Sequence, residues 1–354
     1  MSIFEHMKKN NSRELLFFEE QAISLKAIVA IDSITLGPAN ASVKLYNYKT
    51  EDEAISDALD IAYFNSLKAA LLGRPLGGGS VVLWGEPSVL KSEMYFRALG
   101  VFMNRWDGKI YMTKGTGVSH KDMKDINKES PFLFGLENDS KEWGRPAISR
   151  AQGMIWGMRA AAKTKFDVNT LSGLKIAVQG VGELGSELVK LLIEEGAEIT
   201  ITDVVYDKIK VIQDRVNDIK IVRPADIYSV ACDIFCVCSK NYLLDEVAAN
   251  NLNCKILTGS VDKIPKSDSL SEIFKKKNIL FIPGYVINSG DIIQFSLERI
   301  EKSLEKLASE LKDIYFSTID LIQKQQESGK CIEEIAIAQA QKYIQDIAAI
   351  KMLK

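Results

Sequence analysis

Ile176-Ala-Val-Gln-Gly-Val-Gly-Glu-Leu-Gly185 runs on into a helical pattern and then into Ile199-Thr-Ile-Thr-Asp203. The apolar start reads as a buried strand, and the three glycines as a Gly-x-Gly-x-x-Gly turn. An amphipathic helix and a second strand ending in an acid follow. A dinucleotide site needs its parts in that order. Gly180 permits the tight turn, Gly182 lets the backbone approach a pyrophosphate, and Gly185 lets the helix pack closely on the strand. The helix N-terminus offers unpaired N–H groups and a positive dipole end to the phosphates. Asp203 stands at about the twenty-residue spacing of the acid that holds a ribose 2′-hydroxyl. NAD is the expected cofactor, because the 2′-phosphate of NADP would meet that carboxylate, although Lys208 and Lys210 lie close enough to soften the preference. A glycine-rich turn without a ligand is the alternative.

Outward from this stretch, strands and helices alternate, with strand candidates at 175–180, 198–203, 219–222, 232–238, 254–260 and 278–283. That alternation predicts an α/β fold, a Rossmann-type doubly wound parallel sheet. The chain's 354 residues are too many for one ordinary core and suggest a second domain. The expected division is an N-terminal α/β substrate and oligomerisation domain over 1–145, the dinucleotide domain over 146–290, and C-terminal helices over 291–354. In the first segment, Lys26 to Ile31, Ser42 to Tyr46 and Val81 to Trp84 read as strands, and Glu51 to Lys68 as a helix. Gly77-Gly-Gly-Ser80 reads as a break, and 130–147 as the linker. A helix spans about 148–165. After Asn288-Ser-Gly-Asp291 the chain is helical, with a break near Gly329. The stripe Leu304, Leu307, Leu311 is expected to pack on the body of the protein.

Lysine and arginine number 45 against 47 acids, so no basic field invites nucleic acid or an anionic membrane. No apolar run has the length of a membrane span, and the N-terminus lacks the apolar core of a signal peptide. With an odd count of cysteines (Cys232, Cys236, Cys238, Cys254, Cys331), reduced thiols in a cytoplasmic protein are expected. Cys232, Cys236 and Cys238 alternate like a buried strand and lack a paired CxxC, so core packing is favoured over zinc. With only His6 and His120 present, no metal site is expected.

Across almost the whole chain these residues resemble the glutamate/leucine/phenylalanine/valine dehydrogenases, with the leucine dehydrogenases the nearest branch. The carrying pieces include Leu25-Lys-Ala-Ile-Val-Ala-Ile, Thr35-Leu-Gly-Pro-Ala39, Asp57-Ala-Leu, Lys68-Ala-Ala, Leu76-Gly-Gly-Gly79 and Phe96-Arg-Ala-Leu-Gly100. Gly157-Met-Arg-Ala-Ala-Ala-Lys163, Val178-Gln-Gly-Val-Gly182, Cys232-Asp-Ile-Phe235, Gly259-Ser260 and Tyr285-Val-Ile-Asn288 continue the series. The resemblance implies a substrate domain and a Rossmann domain with a cleft between them. It also implies hydride transfer from an amino acid α-carbon to nicotinamide, a 2-oxo acid product, and a homo-oligomer, dimer or higher. The cofactor residues it implies, together with the turn, are Gly180, Gly182, Glu183, Leu184, Gly185, Asp203, Cys238 and Asn288. Lys68 matches the lysine that binds the substrate carboxylate.

The departures fall on the chemistry. Where the family's glycine run ends in its catalytic lysine, this chain has Ser80, which supplies no cation. The catalytic aspartate belongs to a segment matched by Thr113-Lys-Gly-Thr-Gly-Val118, one residue shorter and without an acid. Two glycines that approach the substrate are matched by Ala41 and Ser42. A threonine near the nicotinamide is matched by Arg150, an asparagine by Asp262, and the acid before Tyr-Val-Ile-Asn by Gly284. The candidate catalytic set is therefore Lys68, Ser80, Arg150 and Asp262, each with a plainer alternative. Lys68 is otherwise a solvated lysine, Ser80 a filler of vacated space, Arg150 an ion-pairing helix residue, and Asp262 a surface partner of Lys263. His120 is a further candidate proton carrier, and Trp84 and Trp106 read as core.

Lys68 and Arg150 are expected to face the nicotinamide end of the cleft and bind an anionic group of the ligand. Two readings of function stay open. One is a divergent NAD-dependent oxidoreductase acting on an amine, imine or oxo compound related to amino acids. The other is a catalytically silent cofactor-binding or scaffolding homologue.

Overall fold

The computed structural model describes residues 3–10, 14–136, 145–214, 219–239, 244–262, 268–300 and 303–353. Residues 137–144 of the expected linker, and Lys263, lie outside them. The chain forms two compact units. The first is Met1–Arg145 with Gln294–Leu304 and Gln339–Lys354, and the second is Pro146–Ile293 with Glu305–Ala338. The C-terminal helices, expected as one segment over 291–354, thus divide between the two units.

The first unit contains α1 (Ile3–Asn10), β1 (Glu14–Glu20), β2 (Leu25–Ser33), β3 (Ala39–Tyr46), α2 (Glu51–Leu71) and β4 (Gly77–Trp84). After these come α3 (Pro87–Leu90), α4 (Glu93–Asn104), β5 (Ile110–Lys114) and α5 (His120–Asn127). Its sheet has the order β1-β2-β4-β3-β5, with β3 parallel to both β4 and β5. Thr50 caps α2 by accepting from Glu53 N–H, and three acids in the first turn suit the dipole. The helix packs its alanines (Ala54, Ala58, Ala62) on Ile28, Ala30 and Val82 of one sheet face. The other face carries Ala39, Ala41, Val43 and Leu45 of β3 in a larger core with Tyr95, Phe96, Leu99 and Met123. Side chains alternate along a strand, so Asn40, Ser42 and Lys44 lie on the α2 side.

One expectation here is corrected. Gly77, Gly78 and Gly79 do not break the chain but run inside β4, paired with Ala39, Asn40 and Ala41. The reason is steric. A Cβ on Gly78 would stand 2.1 Å from the Ala62 carbonyl oxygen, so α2 can lie on this strand only where side chains are missing. β1 and β5 were not anticipated. β1 is an edge strand of mixed exposure, and β5 is five residues long.

The second unit opens with α6 (Pro146–Phe166), then β6 (Lys175–Gln179), α7 (Glu183–Glu194), β7 (Glu198–Thr202), α8 (Tyr206–Gln213) and β8 (Lys220–Ile221). It continues with β9 (Ile234–Val237), α9 (Glu246–Asn251), β10 (Ile256–Gly259), α10 (Asp268–Lys276), β11 (Leu280–Phe281) and α11 (Gly284–Ile287). The last helices, α12 (Gly290–Glu298), α13 (Leu304–Glu310), α14 (Asp313–Ser328) and α15 (Ile332–Lys351), belong to this unit except for Gln294–Leu304 and the residues from Gln339 on. The sheet is wholly parallel in the order β11-β10-β9-β6-β7-β8. All six strands fall within the segments expected from sequence. The direction of winding reverses between β6 and β9, and that switch point is where doubly wound sheets bind ligands. Leu307 and Leu311 are buried, as expected of the leucine stripe, but Leu304 at its start is exposed. Gly329, left-handed at φ +70°, ends α14.

Candidate active site

The turn after β6 has the geometry its glycines suggest. Gly180 adopts φ +96°, and a Cβ there would meet Ser239 N at 2.7 Å. A Cβ on Gly185 would come within 2.1 Å of the Gly180 carbonyl oxygen, so only glycine lets α7 start this close to the turn. Gly182 differs, since a Cβ there would meet nothing within 4 Å. Its side of the turn is open, as a backbone awaiting a pyrophosphate requires. Gly182 is also the N-cap of α7 and supplies no side-chain cap, which leaves the first-turn N–H groups to an outside acceptor. Glu183 is exposed at the first helical position, and Leu184 is half-buried behind it.

Asp203 secures this turn from the end of β7. Its Oδ2 accepts from Val181 N–H at 2.9 Å and its Oδ1 from Val205 N–H at 2.8 Å. Lys208 Nζ lies 3.9 Å from Oδ1, and the carboxylate side chain is 7% exposed. An ionised carboxylate has about four acceptor positions, so capacity remains for ribose hydroxyls. Cys238 follows β9 across the switch point. Its N–H donates to the Gln179 carbonyl at 2.8 Å, and its Cβ lies 3.4 Å from where a Gly185 Cβ would be. These contacts fit a dinucleotide held by Gly180, Gly182, Glu183 and Gly185 with Asp203 at the ribose end.

Elsewhere in the second unit, Arg150 of α6 donates from Nε to Asn288 Oδ1 at 2.9 Å and lies 3.7 Å from Asp291. Asn288 is fully buried and donates from Nδ2 to the Ser260 carbonyl at 3.4 Å. Arg150 therefore orients Asn288, a link across 138 positions of chain that sequence reasoning missed. Both Gly284 and Gly290 sit where no side chain fits. A Cβ on Gly284 would meet the Val261 carbonyl oxygen at 2.4 Å, and one on Gly290 the Ser149 carbonyl oxygen at 1.8 Å. Asp262, half-buried, follows that Val261 contact.

In the first unit, Ser80 does not face a ligand. It is 0% exposed, and its hydroxyl donates to the Ala58 carbonyl of α2 at 2.6 Å. This corrects its place among the catalytic candidates, since packing of helix on sheet consumes the group. The acid-free window is likewise shut. A Cβ on Gly115 would meet the Val43 carbonyl oxygen at 2.4 Å, while Gly117, at φ +76°, would meet that of Leu45 at 2.0 Å. The shorter segment lies flat on β3, with Leu45 N–H donating to the Thr116 carbonyl. His120 is the first residue of α5, behind the Ser119 cap. Trp84 donates from Nε1 to the Tyr48 carbonyl at 2.9 Å, and Trp106 packs against the larger core.

Lys68, buried at 6% exposure, shares a flank of α2 with Asn65. Asn65 Nδ2 donates to the Asn40 carbonyl (3.2 Å), the Gly79 carbonyl (3.0 Å) and Ser42 Oγ (3.4 Å). This polar cluster was not read from sequence, although the alternation Asn40-Ala-Ser42 was its signal. Beyond it, Asp57 accepts from both Lys44 and Tyr48, and burial is the main cause that pushes the Tyr48 hydroxyl well above its ordinary range. Among the described residues no group of three or more His, Cys, Asp or Glu is placed to hold a metal, and no helix is long and apolar enough to cross a membrane. Cys236 and Cys254 are buried, unpaired thiols.

Residues 18–131 match the Glu/Leu/Phe/Val dehydrogenase dimerisation domain, and residues 149–349 match the glutamate/leucine/phenylalanine/valine dehydrogenase domain. Leucine dehydrogenase of Thermoactinomyces intermedius is 33% identical over 330 residues, which is 93% of this chain and 90% of that one. L-tryptophan dehydrogenase of Nostoc punctiforme is 30% identical over 337 residues, 95% of this chain and 94% of its own length. The crystal structure of the Nostoc enzyme superposes with a TM-score of 0.79 at 27% identity, covering 98% of this chain and 99% of that one. Hetero-hexameric glutamate dehydrogenase from Thermus thermophilus shares the fold, with a TM-score of 0.78 at 14% identity over 98% of this chain and 95% of that one. With both halves matched and relatives aligned over nearly the full length, the chain belongs to the glutamate/leucine/phenylalanine/valine dehydrogenase family of oxidoreductases.

Proposed function

We propose that the protein is an NAD-dependent oxidoreductase acting on an amine, imine or oxo compound related to amino acids, without the usual Lys/Asp catalytic pair. One observation carries the reading: Gly182 is open and α7 uncapped, while Gly180 and Gly185 admit no other residue. A protein under no demand to bind a dinucleotide would not need all three. When bound, the nicotinamide supplies the acceptor or donor of hydride. The chain's own residues do the rest. Lys68 holds the ligand carboxylate, Asp203 takes the ribose hydroxyls and disfavours a 2′-phosphate, and Arg150 fixes Asn288 for the nicotinamide side. A homo-oligomer, dimer or higher, in the cytoplasm completes the proposal.

A silent homologue that only binds cofactor is the second reading, favoured by the burial of Ser80 and the closed window at 113–118. One experiment separates the two. NAD binding is titrated by calorimetry, and reduced nicotinamide is followed with amines and amino acids, its oxidation with imines and 2-oxo acids plus ammonium. Binding with turnover of any compound supports the oxidoreductase. Binding without turnover across the panel supports the silent homologue, and absence of binding defeats both.

A further inference from the structure

β3 turns Asn40, Ser42 and Lys44 to the α2 side of the first sheet, because its alternate residues fill the opposite core. On that same side β2 and β4 offer hydrocarbon (Ile28, Ala30 and Val82) to the alanines of the helix. The polar residues thus form an island at one flank of α2. Within it, Ser42 Oγ receives the Asn65 amide at 3.4 Å and the Thr113 hydroxyl at 3.5 Å. As the acceptor in these contacts, Ser42 keeps its own hydroxyl hydrogen to donate, and it is only half-buried. Asn40 Oδ1 is the complementary case. Asn40 is 1% exposed, and this oxygen has no hydrogen-bond partner among the described residues. A buried amide oxygen left so is costly, whereas leucine of similar size would incur no such penalty.

We infer that Asn40 and Ser42 recognise a neutral group on the ligand that both donates and accepts hydrogen bonds, a carboxamide or a hydroxyl. The protein then selects amino acids or 2-oxo acids with polar side chains over hydrocarbon ones. This deepens the function proposed above and rests on its assignment of the ligand carboxylate to Lys68, one helical turn beyond Asn65. Asn40 accepts from the ligand, Ser42 donates to it, and Asn65 and Thr113 hold Ser42 in place. Alternate residues of a strand stand about 6.5–7 Å apart, a span that one carboxamide bridges with a hydrogen bond at each end. A hydroxyl bridges it when both side chains lean inward. A hydrocarbon in the same position leaves both protein groups unpaired.

The test titrates the full chain, saturated with NAD, with L-glutamine, L-homoserine, L-norleucine and L-norvaline by calorimetry. At least one polar amino acid should bind about 100-fold or more tightly than its hydrocarbon counterpart, and whether that is glutamine or homoserine tells carboxamide from hydroxyl. Asn40→Leu should remove that preference while keeping or raising the melting temperature, and Ser42→Ala should weaken it about tenfold. Equal or tighter binding of norleucine or norvaline, no binding of any of the four, or a several-degree loss of stability in Asn40→Leu would overturn the inference. Following reduced nicotinamide in the same samples keeps the two claims apart. Selective binding without turnover defeats the oxidoreductase and leaves the polar site standing, whereas turnover of hydrocarbon substrates does the reverse.

Discussion

The turn after β6 and the face of β4 under α2 are both glycine-rich, and they use glycine for opposite ends. At the turn, Gly180 and Gly185 bring backbone against backbone so that Gly182 can be left open. Under α2, Gly78 brings the helix onto the strand with no room left at its own position, and Ser80 is drawn into the same contact. Glycine therefore marks a ligand site only where close packing around it preserves a vacancy. The turn after β6 has that arrangement, and the strand under α2 does not.

The largest expected effect would break this contrast if absent. Ser80→Lys puts a lysine where the resemblance places the family's own, but should restore no function, because the position is enclosed and donates to Ala58. An unpaired buried ammonium should cost on the order of 3 kcal/mol, seen as a lower denaturant midpoint, with no gain in leucine oxidation. A stable Ser80→Lys variant that oxidises leucine would show the face to be open after all.

A pair of glycine variants sharpens the comparison inside the turn. Gly185→Ala, whose new methyl would meet the Gly180 carbonyl oxygen, should lose about 2 kcal/mol of stability and NAD binding with it. Gly182→Ala should stay within about 1 kcal/mol of wild type, yet bind NAD about 100-fold more weakly. Equal losses of stability in the two variants would mean that Gly182 is structural too.

How far these differences were legible depends on what kind of contact sets them. The cofactor turn could be read because its demands are local: a positive φ, a helix start and an acid at a fixed interval. All six strands around it were readable for the same reason. The fate of Ser80 was not, since it depends on a helix 22 residues earlier in the chain. Nor was strand structure at Gly77 to Gly79, because glycine runs against strand preference and only docking of α2 explains it. Arg150 was singled out by its replacement of a neutral residue, but its bond to Asn288 required the folded second unit.

Two smaller effects concern the second unit alone. Burial pushes the Cys232 and Cys254 thiols from 9.0 up to about 12. Unfolded thiols ionise near 9 while the folded ones stay neutral, so the stabilisation is complete below pH 9 and is lost as pH rises towards 12. Unfolding free energies from denaturant titrations should fall by about 2–3 kcal/mol between pH 8 and 10, and replacing both cysteines with alanine should flatten that slope. The smallest effect concerns Lys208, 3.9 Å from Asp203. Removing it as Lys208→Ala should widen the preference for NAD over NADP a few-fold, at about 1 kcal/mol or less because Lys208 itself is solvent-exposed. A narrowed preference would show that Lys208 opposes NADP.

The most direct test of the proposed function is a single assay on the wild-type chain. Calorimetry establishes NAD saturation, and formation of reduced nicotinamide is then followed with leucine, valine, phenylalanine and glutamate. Tight NAD binding with all four at background is the predicted result, each missing acid–base group being worth about 100- to 10,000-fold in rate. Robust turnover of any of the four would contradict it, because other residues would then have taken over the work of the missing lysine and aspartate.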